Sequence, residues 1–78
     1  MPTVLRWGPY RFFFYAGDWN EPPHIHMGRD EDMAKFWLKP VRLQSSGGFN
    51  RPEIAKLTVL VTERQDELWE AWDAYFKN

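Results

Sequence analysis

The feature that most limits how this chain can fold is the aromatic run from Tyr10 to Tyr15. Side chains alternate between the two faces of a strand, so the even-numbered rings of this run point one way and the odd-numbered rings the other. A strand that is apolar on both faces needs cover on both sides. We therefore expect this segment to form a central strand of a sheet rather than an edge.

The length and the missing cysteines also limit the fold. A chain of 78 residues can bury only one core, which predicts a single domain over residues 1–78. Without cysteine there is no disulfide, no thiolate metal cage and no cysteine nucleophile, so stability must come from packing. No apolar run is long enough for a membrane span, and the amino-terminal residues do not resemble a signal peptide, so we expect a cytoplasmic protein without a membrane partner.

The charge is near neutral only in total. The formal net charge is -1, which argues against a protein held on DNA by its overall charge. Its distribution is uneven, because residues 16–32 and 63–78 are acidic whereas residues 33–62 are basic. A local phosphate-binding surface and an acidic contact with a partner both stay open.

Strand patterns and turn residues alternate through the first half. Short β-prone segments are predicted over residues 3–7, 10–15, 24–27, 33–38 and 41–43. Gly8-Pro9 and Gly28-Arg29-Asp30 are predicted turns, and Gln44 to Gly48 reads as a flexible connector. The result is a small, mainly antiparallel sheet over residues 3–43.

Helical signals begin at Asn50. Asn50 can cap a helix, with Glu53 as its reciprocal capping-box partner three residues later. Apolar residues then follow helical spacing, interrupted by the polar run 62–66, and we expect a break or kink near residue 63. The fold class is therefore α+β, with one or two helices over residues 51–76 covering one face of the sheet.

The two histidines, His24 and His26, form the first candidate site. Residues two apart in a strand share a face, so both imidazoles should project side by side, with Ile25 turned into the core. Three roles suit such a pair: metal ligation, acid and base catalysis, or a polar contact that responds to pH. A metal would need further ligands, for which Asp18, Glu21 and Asp30 are near in sequence, and His24, His26 and Glu21 form the alternative divalent-metal set. Two solvated histidines without a chemical role are an equally open interpretation.

Cations near the histidines support a catalytic interpretation. If strands 10–15, 24–27 and 33–38 are neighbours, Arg11 or Lys35 would lie beside His24 and His26. Such a group could cleave RNA without a metal or other cofactor, since one imidazole accepts the ribose 2′-hydroxyl proton, the other protonates the leaving oxygen and a cation stabilises the phosphate.

Two further surfaces are candidates for binding. Lys35, Trp37 and Lys39 combine cations with a ring, as in grooves for single-stranded nucleic acid, although a solvated face is the commoner outcome. The carboxyl-terminal aromatics Trp69, Trp72 and Phe76 widen a helix stripe and are candidates for contact with a partner chain. Their alternative role is packing on the sheet.

Several segments together resemble the prokaryotic family known as domain-of-unknown-function family 4160. The segments that carry the resemblance run the length of the chain: Met1 to Arg6, Tyr10 to Tyr15, Glu21-Pro22-Pro23-His24-Ile25-His26, Ala34 to Leu38, Pro40-Val41, Gly48-Phe49, Trp72 and Tyr75-Phe76. The resemblance implies a gene encoded next to a second small protein, as in type II toxin–antitoxin pairs. It carries over no catalytic residues.

Three functions follow as hypotheses. The leading one is a toxin-like component of a two-gene module that acts on RNA as a metal-independent endoribonuclease, with His24, His26, Arg11 and Lys35 at its site. The second is a non-catalytic interaction module, an antitoxin or regulatory partner. The third is a histidine-based metal-binding domain. A small cognate partner protein is expected, and association of the chain with itself is left open.

Overall fold

In the computed structural model, residues 3–76 are described. Met1, Pro2, Lys77 and Asn78 belong to the predicted single domain but lie outside the described residues. In chain order the elements are β1 (Thr3–Trp7), β2 (Tyr10–Phe13), a 3-10 helix (Ala16–Asn20), β3 (His24–Arg29), β4 (Asp32–Leu38), β5 (Val41–Ser45), α1 (Arg51–Glu63) and α2 (Gln65–Phe76).

The five strands form one antiparallel sheet in the order β1-β2-β3-β4-β5. Each strand pairs with the next in sequence, as short turns favour. The predicted α+β class is confirmed, with the sheet extending to Ser45. Within residues 3–76 neither helix is long and apolar enough to cross a membrane.

The two faces of the sheet differ in what covers them. The core face packs against both helices, and its buried strand residues are Tyr10, Phe12, Ile25, Met27, Ala34, Phe36 and Leu38. Leu57, Val61 and Leu68 of the helices join this core and are fully buried. The opposite face, called the second face below, carries the alternating residues Arg6, Arg11, Phe13, His24, His26, Lys35, Trp37 and Arg42.

Strand β2 is interior, as its aromatic run predicts. It pairs with β1 on one side and β3 on the other. Phe12 is fully buried on the core face, while Phe13 is 2% exposed on the second face. The rings of Tyr15 and His26 lie 5.4 Å from the Phe13 ring and cover it. Aromatic residues on both faces are thus buried by different parts of the chain.

The start of α1 follows its cap signal, with one difference. The Asn50 side chain accepts a hydrogen bond from the Glu53 backbone N–H at 3.0 Å. The Glu53 carboxylate does not complete the predicted capping box. Instead its Oε2 accepts hydrogen bonds from Tyr10, at 2.9 Å, and from Arg29, two residues of the sheet. Hydrogen bonds from the charged Arg29 and the buried Tyr10 are stronger than one from the Asn50 backbone N–H, so the carboxylate bonds to the sheet.

The predicted break between the helices is confirmed at Arg64, which separates α1 from α2. The side chain of Gln65, the first residue of α2, donates a hydrogen bond to the Leu38 carbonyl at 2.6 Å. This bond ties α2 to the end of β4 and sets where the second helix crosses the sheet.

Two local predictions were wrong. The turn predicted at Gly28-Arg29-Asp30 lies further along, because β3 continues to Arg29 and Asp30 adopts the left-handed conformation with φ of 55°. The flexible connector predicted from Gln44 to Gly48 begins later, because β5 continues to Ser45. In addition, Ala16–Asn20 forms a 3-10 helix that the sequence patterns do not predict. This helix lies over the second face and matters for the site.

Gly47 generates a test of the fold. It has φ of +55°, and a Cβ added there would lie 1.4 Å from the Met33 carbonyl oxygen. We expect Gly47→Ala to lower the free energy of unfolding by about 2–4 kcal/mol, measured by urea denaturation, because left-handed strain and overpacking add. Gly8→Ala is the matched control: its φ is +58° but nothing lies within 4 Å, so about 1 kcal/mol is expected. Equal losses in the two variants would contradict the close approach.

Candidate metal centre

Strand β3 places both histidines on the second face, next to each other. Ile25 between them is fully buried in the core, as the alternation predicts. His24 is 0% exposed and His26 is 8% exposed. The two ring centroids are 5.1 Å apart. The two histidines are therefore buried and not solvated, unlike in the alternative interpretation of the sequence.

Asp18 reaches the histidines from the 3-10 helix. The backbone N–H of Asp18 donates to the Tyr15 carbonyl at 3.0 Å, which closes the first turn of this helix. In return, Asp18 Oδ2 accepts the Tyr15 backbone N–H at 2.9 Å. These reciprocal bonds fix the carboxylate, whose side chain is only 12% exposed.

Three side-chain atoms converge at one point. Nε2 of His26 lies 3.2 Å from Asp18 Oδ2, and Nε2 of His24 lies 3.1 Å from the same oxygen. One possible ligand atom from each residue lies within 4.8 Å of the others. Two imidazole nitrogens and one carboxylate are a common donor set for zinc and other first-row transition metals.

The hydrogen bonds of His24 fix its tautomer. Its Nδ1 lies 2.8 Å from the Pro22 carbonyl oxygen. Because a carbonyl can only accept, Nδ1 must carry the hydrogen, and a neutral His24 then has its lone pair on Nε2. Nε2 is buried and has no hydrogen-bond partner, even though Asp18 is 3.1 Å away. The angle between His24 Nε2 and Asp18 Oδ2 therefore does not suit a hydrogen bond, although the two atoms are close.

Aromatic rings surround the histidines. The rings of Trp37 and Trp72 lie 5.7 and 5.0 Å from the His24 ring. The His26 ring stacks on Phe13 at 5.4 Å and meets the edge of Tyr15 at 4.8 Å. This apolar shell restricts water and fixes both imidazole planes.

Burial lowers the pKa of His26, because the charged imidazolium loses its solvation. The Asp18 carboxylate acts in the opposite direction without reversing the shift. A neutral His26 keeps a lone pair on one ring nitrogen, which is the form that binds a metal ion.

Glu21 and Lys35 form an ion pair beside the centre. Lys35 lies directly across from His26, and its Nζ is 2.5 Å from Glu21 Oε1. The hydrogen bond from Lys35 lowers the pKa of Glu21. Glu21 Oε1 lies 3.8 Å from Nδ1 of His24, the nitrogen already bonded to Pro22. Glu21, a member of the predicted metal set, thus lies near Nδ1 of His24, which is already hydrogen-bonded. Asp18, which is not in that set, lies near the unpaired Nε2.

The other predicted site residues are only partly brought together. Arg11 shares the second face, but Phe13 separates it from His26, and its guanidinium lies 4.9 Å from the Phe13 ring centroid. Lys35 lies 4.9 Å from the Trp37 ring, so these two predicted nucleic-acid contacts are adjacent. Lys39 lies elsewhere, 4.7 Å from the ring of Trp69 in α2.

Asp30, the third acid considered for metal binding, lies in the turn between β3 and β4. It is not part of the cluster formed by Asp18, His24 and His26. Asp18 is one of the three acids near the histidines in sequence, but the alternative ligand set contains Glu21 in its place. The sequence predicts the position of Asp18 only weakly, because that position depends on a 3-10 helix without a clear sequence pattern.

The predicted partner-binding aromatics differ in exposure. Trp72 is 8% exposed and packs edge-on against Phe14, with ring centroids 5.3 Å apart. Trp69 and Phe76 are partly buried against the same core. Trp72 therefore packs in the core, and of these three residues Trp69 and Phe76 keep the larger exposed surface.

Replacing Trp72 tests its packing role. We expect Trp72→Ala to lower the free energy of unfolding by about 3–5 kcal/mol, measured by urea denaturation, because a large ring is removed from the core. Trp19→Ala is the control, since Trp19 is 70% exposed. That substitution should change stability by about 0.5 kcal/mol or less. A loss at Trp72 as small as that at Trp19 would show that its ring is not part of the core.

Comparison with protein families gives one match. A family model described as "Domain of unknown function (DUF4160)" matches residues 10–73, a range that includes Asp18, His24 and His26. Searches of the curated proteins and of the solved structures returned no match.

Proposed function

Since the chain belongs to the DUF4160 family, whose description names no activity, we propose its function from the site: it binds a divalent transition-metal ion through Asp18, His24 and His26. The observation that carries the proposal is the free Nε2 of His24. This nitrogen is fully buried, has no hydrogen-bond partner and lies 3.1 Å from a carboxylate oxygen of Asp18. A buried unpaired polar atom costs about 1–3 kcal/mol, and a bound cation would remove that cost.

The distances fit one shared ion. Zinc bonds to imidazole nitrogen and carboxylate oxygen of about 2.0–2.2 Å, at tetrahedral angles, separate two ligand atoms by about 3.3–3.5 Å. The two nitrogen-to-oxygen separations of 3.1 and 3.2 Å are only slightly shorter. Replacing these two close contacts with metal bonds needs a small outward movement of the carboxylate, and the three ligand atoms, which lie within 4.8 Å of one another, must also adjust to tetrahedral separations.

The surroundings support ligation by His24. Metal-binding histidines usually donate their second ring N–H to a carbonyl or carboxylate, which fixes the tautomer and the ring direction. The bond from Nδ1 of His24 to the Pro22 carbonyl, 2.8 Å long, has this role. Pro22 therefore presents the backbone carbonyl that orients the His24 ring.

Three protein ligands leave one position of a tetrahedral ion for water or substrate, as in catalytic zinc sites. Such an ion would polarise a substrate oxygen or lower the pKa of its water. The side chains of His26 and Asp18 are 10% and 12% exposed, so the site is narrow but not sealed. Lys35 and Glu21 stand at its side and could position a substrate.

Metal binding is tested on the purified chain. We expect about one Zn²⁺ per chain by calorimetric titration after chelator treatment, and a higher Tm with zinc, because an ion that binds only the folded state stabilises it. Asp18→Asn and His26→Gln should each weaken zinc binding at least about tenfold, as loss of one of three ligands implies.

Asp66→Asn is the matched control for Asp18→Asn, because it removes a carboxylate from an exposed position of α2. It should bind zinc as the unaltered chain does. Zinc binding that is absent from the unaltered chain, or unchanged in both ligand variants, would contradict the proposal. Because either variant could alter folding, circular dichroism of each metal-free form is compared first.

RNA cleavage and a toxin–antitoxin role stay predictions that the family resemblance supports. A metal-independent ribonuclease needs imidazoles that reach a ribose, whereas His24 is 0% exposed. That burial favours a metal ion over free acid and base catalysis as the active group. A small cognate partner protein remains part of the same prediction.

A chelator separates the two mechanisms. RNA is incubated with the chain, with and without EDTA, and with Asp18→Asn as a comparison. If the chain cleaves RNA through the metal centre, we expect EDTA and Asp18→Asn to reduce the rate at least about 100-fold, since each removes the ion. Cleavage that persists in EDTA would favour the metal-independent mechanism.

A further inference from the structure

We propose that Arg6 and Arg11 form a binding site for a phosphate group on the second face of the sheet. The two arginines are directly opposite each other in the β1–β2 pair. Like charges at directly opposed positions repel each other. Such a pair is consistent with a function that needs two positive charges at one place.

Neither arginine is neutralised by the protein. Among residues 3–76, the ion pairs of arginine and lysine involve Arg29, Lys35 and Arg64, and neither Arg6 nor Arg11 takes part in one. Two unpaired guanidinium groups match the charge of a phosphate monoester, which is close to -2 at neutral pH.

Arg11 carries an unused donor. Its Nε is buried and has no hydrogen-bond partner. The guanidinium lies 4.9 Å from the Phe13 ring centroid, which restricts its orientation. An oriented guanidinium with a free Nε can donate two parallel hydrogen bonds to one phosphate, a geometry that lysine cannot reproduce.

The space beside the arginines is open. A recess of about 180 Å³ is lined by Arg6, Pro9, Arg11, Gly28, Arg29 and Asp30. Gly28 lies directly across from Arg11 and has no side chain of its own, and the edge of the Phe13 ring lies 3.4 Å from where its Cβ would be. The Arg29 guanidinium is bonded to Glu53 and Asp32, which leaves Arg6 and Arg11 as the free cations of the recess.

The phosphate site does not depend on metal binding, but it lies near the metal centre. Phe13 pairs with His26, and Arg11 pairs with Gly28. Arg11 and His26 are therefore diagonal neighbours across β2 and β3, with Cα atoms about 7–8 Å apart. A phosphate held by the arginines would place the rest of its molecule within reach of Asp18, His24 and His26.

The test is a nuclear magnetic resonance titration of the chain with inorganic phosphate, at constant ionic strength and with chloride as the reference anion. We expect saturating shifts at Arg6, Gly28 and the Arg11 Nε–H, with a dissociation constant on the order of 1 mM or lower. Arg11→Ala and Arg6→Ala should each weaken binding about tenfold or more, and Arg11→Lys should not restore it.

Two further variants sharpen the test. Asp30→Asn removes the acid that lines the recess, so phosphate should bind about two- to fivefold more tightly. Arg51→Ala removes an exposed arginine at the start of α1 and should leave binding unchanged. Shifts spread over all basic residues, or equal binding by Arg11→Ala and the unaltered chain, would overturn the proposal.

The source of the phosphate is distinguished by parallel titrations. Inorganic phosphate, adenosine monophosphate and a single-stranded oligoribonucleotide with or without a 5′-phosphate are compared. Tighter binding of the 5′-phosphorylated strand would identify a terminal phosphate of nucleic acid as the ligand, and equal binding of all phosphomonoesters would identify the phosphate group alone. Binding of the strand that ignores both Arg6 and Arg11 would contradict the site.

Discussion

The pairing of β3 with a strand on each side is the interaction on which the rest of the structure depends. It fixes an alternation in which Ile25 and Met27 enter the core while His24 and His26 face the other way. The helices bury the first pair. The 3-10 helix Ala16–Asn20 brings Asp18 to the two histidines. Strand β3 thus contributes to both the core and the candidate metal centre.

A domain of this size has little stability to lose, because a single small core usually supplies only a few kcal/mol and cysteine is absent. Yet the described residues include three buried nitrogen atoms without hydrogen-bond partners: Nε2 of His24, Nε of Arg11 and Nε of Arg64. Each costs about 1–3 kcal/mol if it stays unpaired. The proposed cation at His24 and the proposed anion at Arg11 would offset two of these costs with ligands of opposite charge on the same face. On these proposals the second face carries the function, and the helices cover the core face.

Much of the fold follows from local patterns in the sequence. Alternation identified β2 as interior and put both histidines on one face, and the Asn50 signal marked the start of α1. The sequence does not favour Asp18, because Glu21 is nearer to His24 along the chain, and the observed preference depends on a 3-10 helix that folds back over β3. Glu53 shows the same limit: its expected local partner was Asn50, but Tyr10 and Arg29, from distant strands, hold its carboxylate. Contacts between residues far apart in the sequence cannot be predicted from patterns that span only a few positions.

The proposed metal ion lies between Nε2 of His24, Nε2 of His26 and the Asp18 carboxylate. Imidazole nitrogen resonances, recorded with and without zinc, test it directly. We expect Nδ1 of His24 to carry its hydrogen in both states and zinc to shift the Nε2 resonances of both histidines. A metal-free spectrum with the hydrogen of a neutral His24 on Nε2, or spectra that zinc does not change, would contradict it.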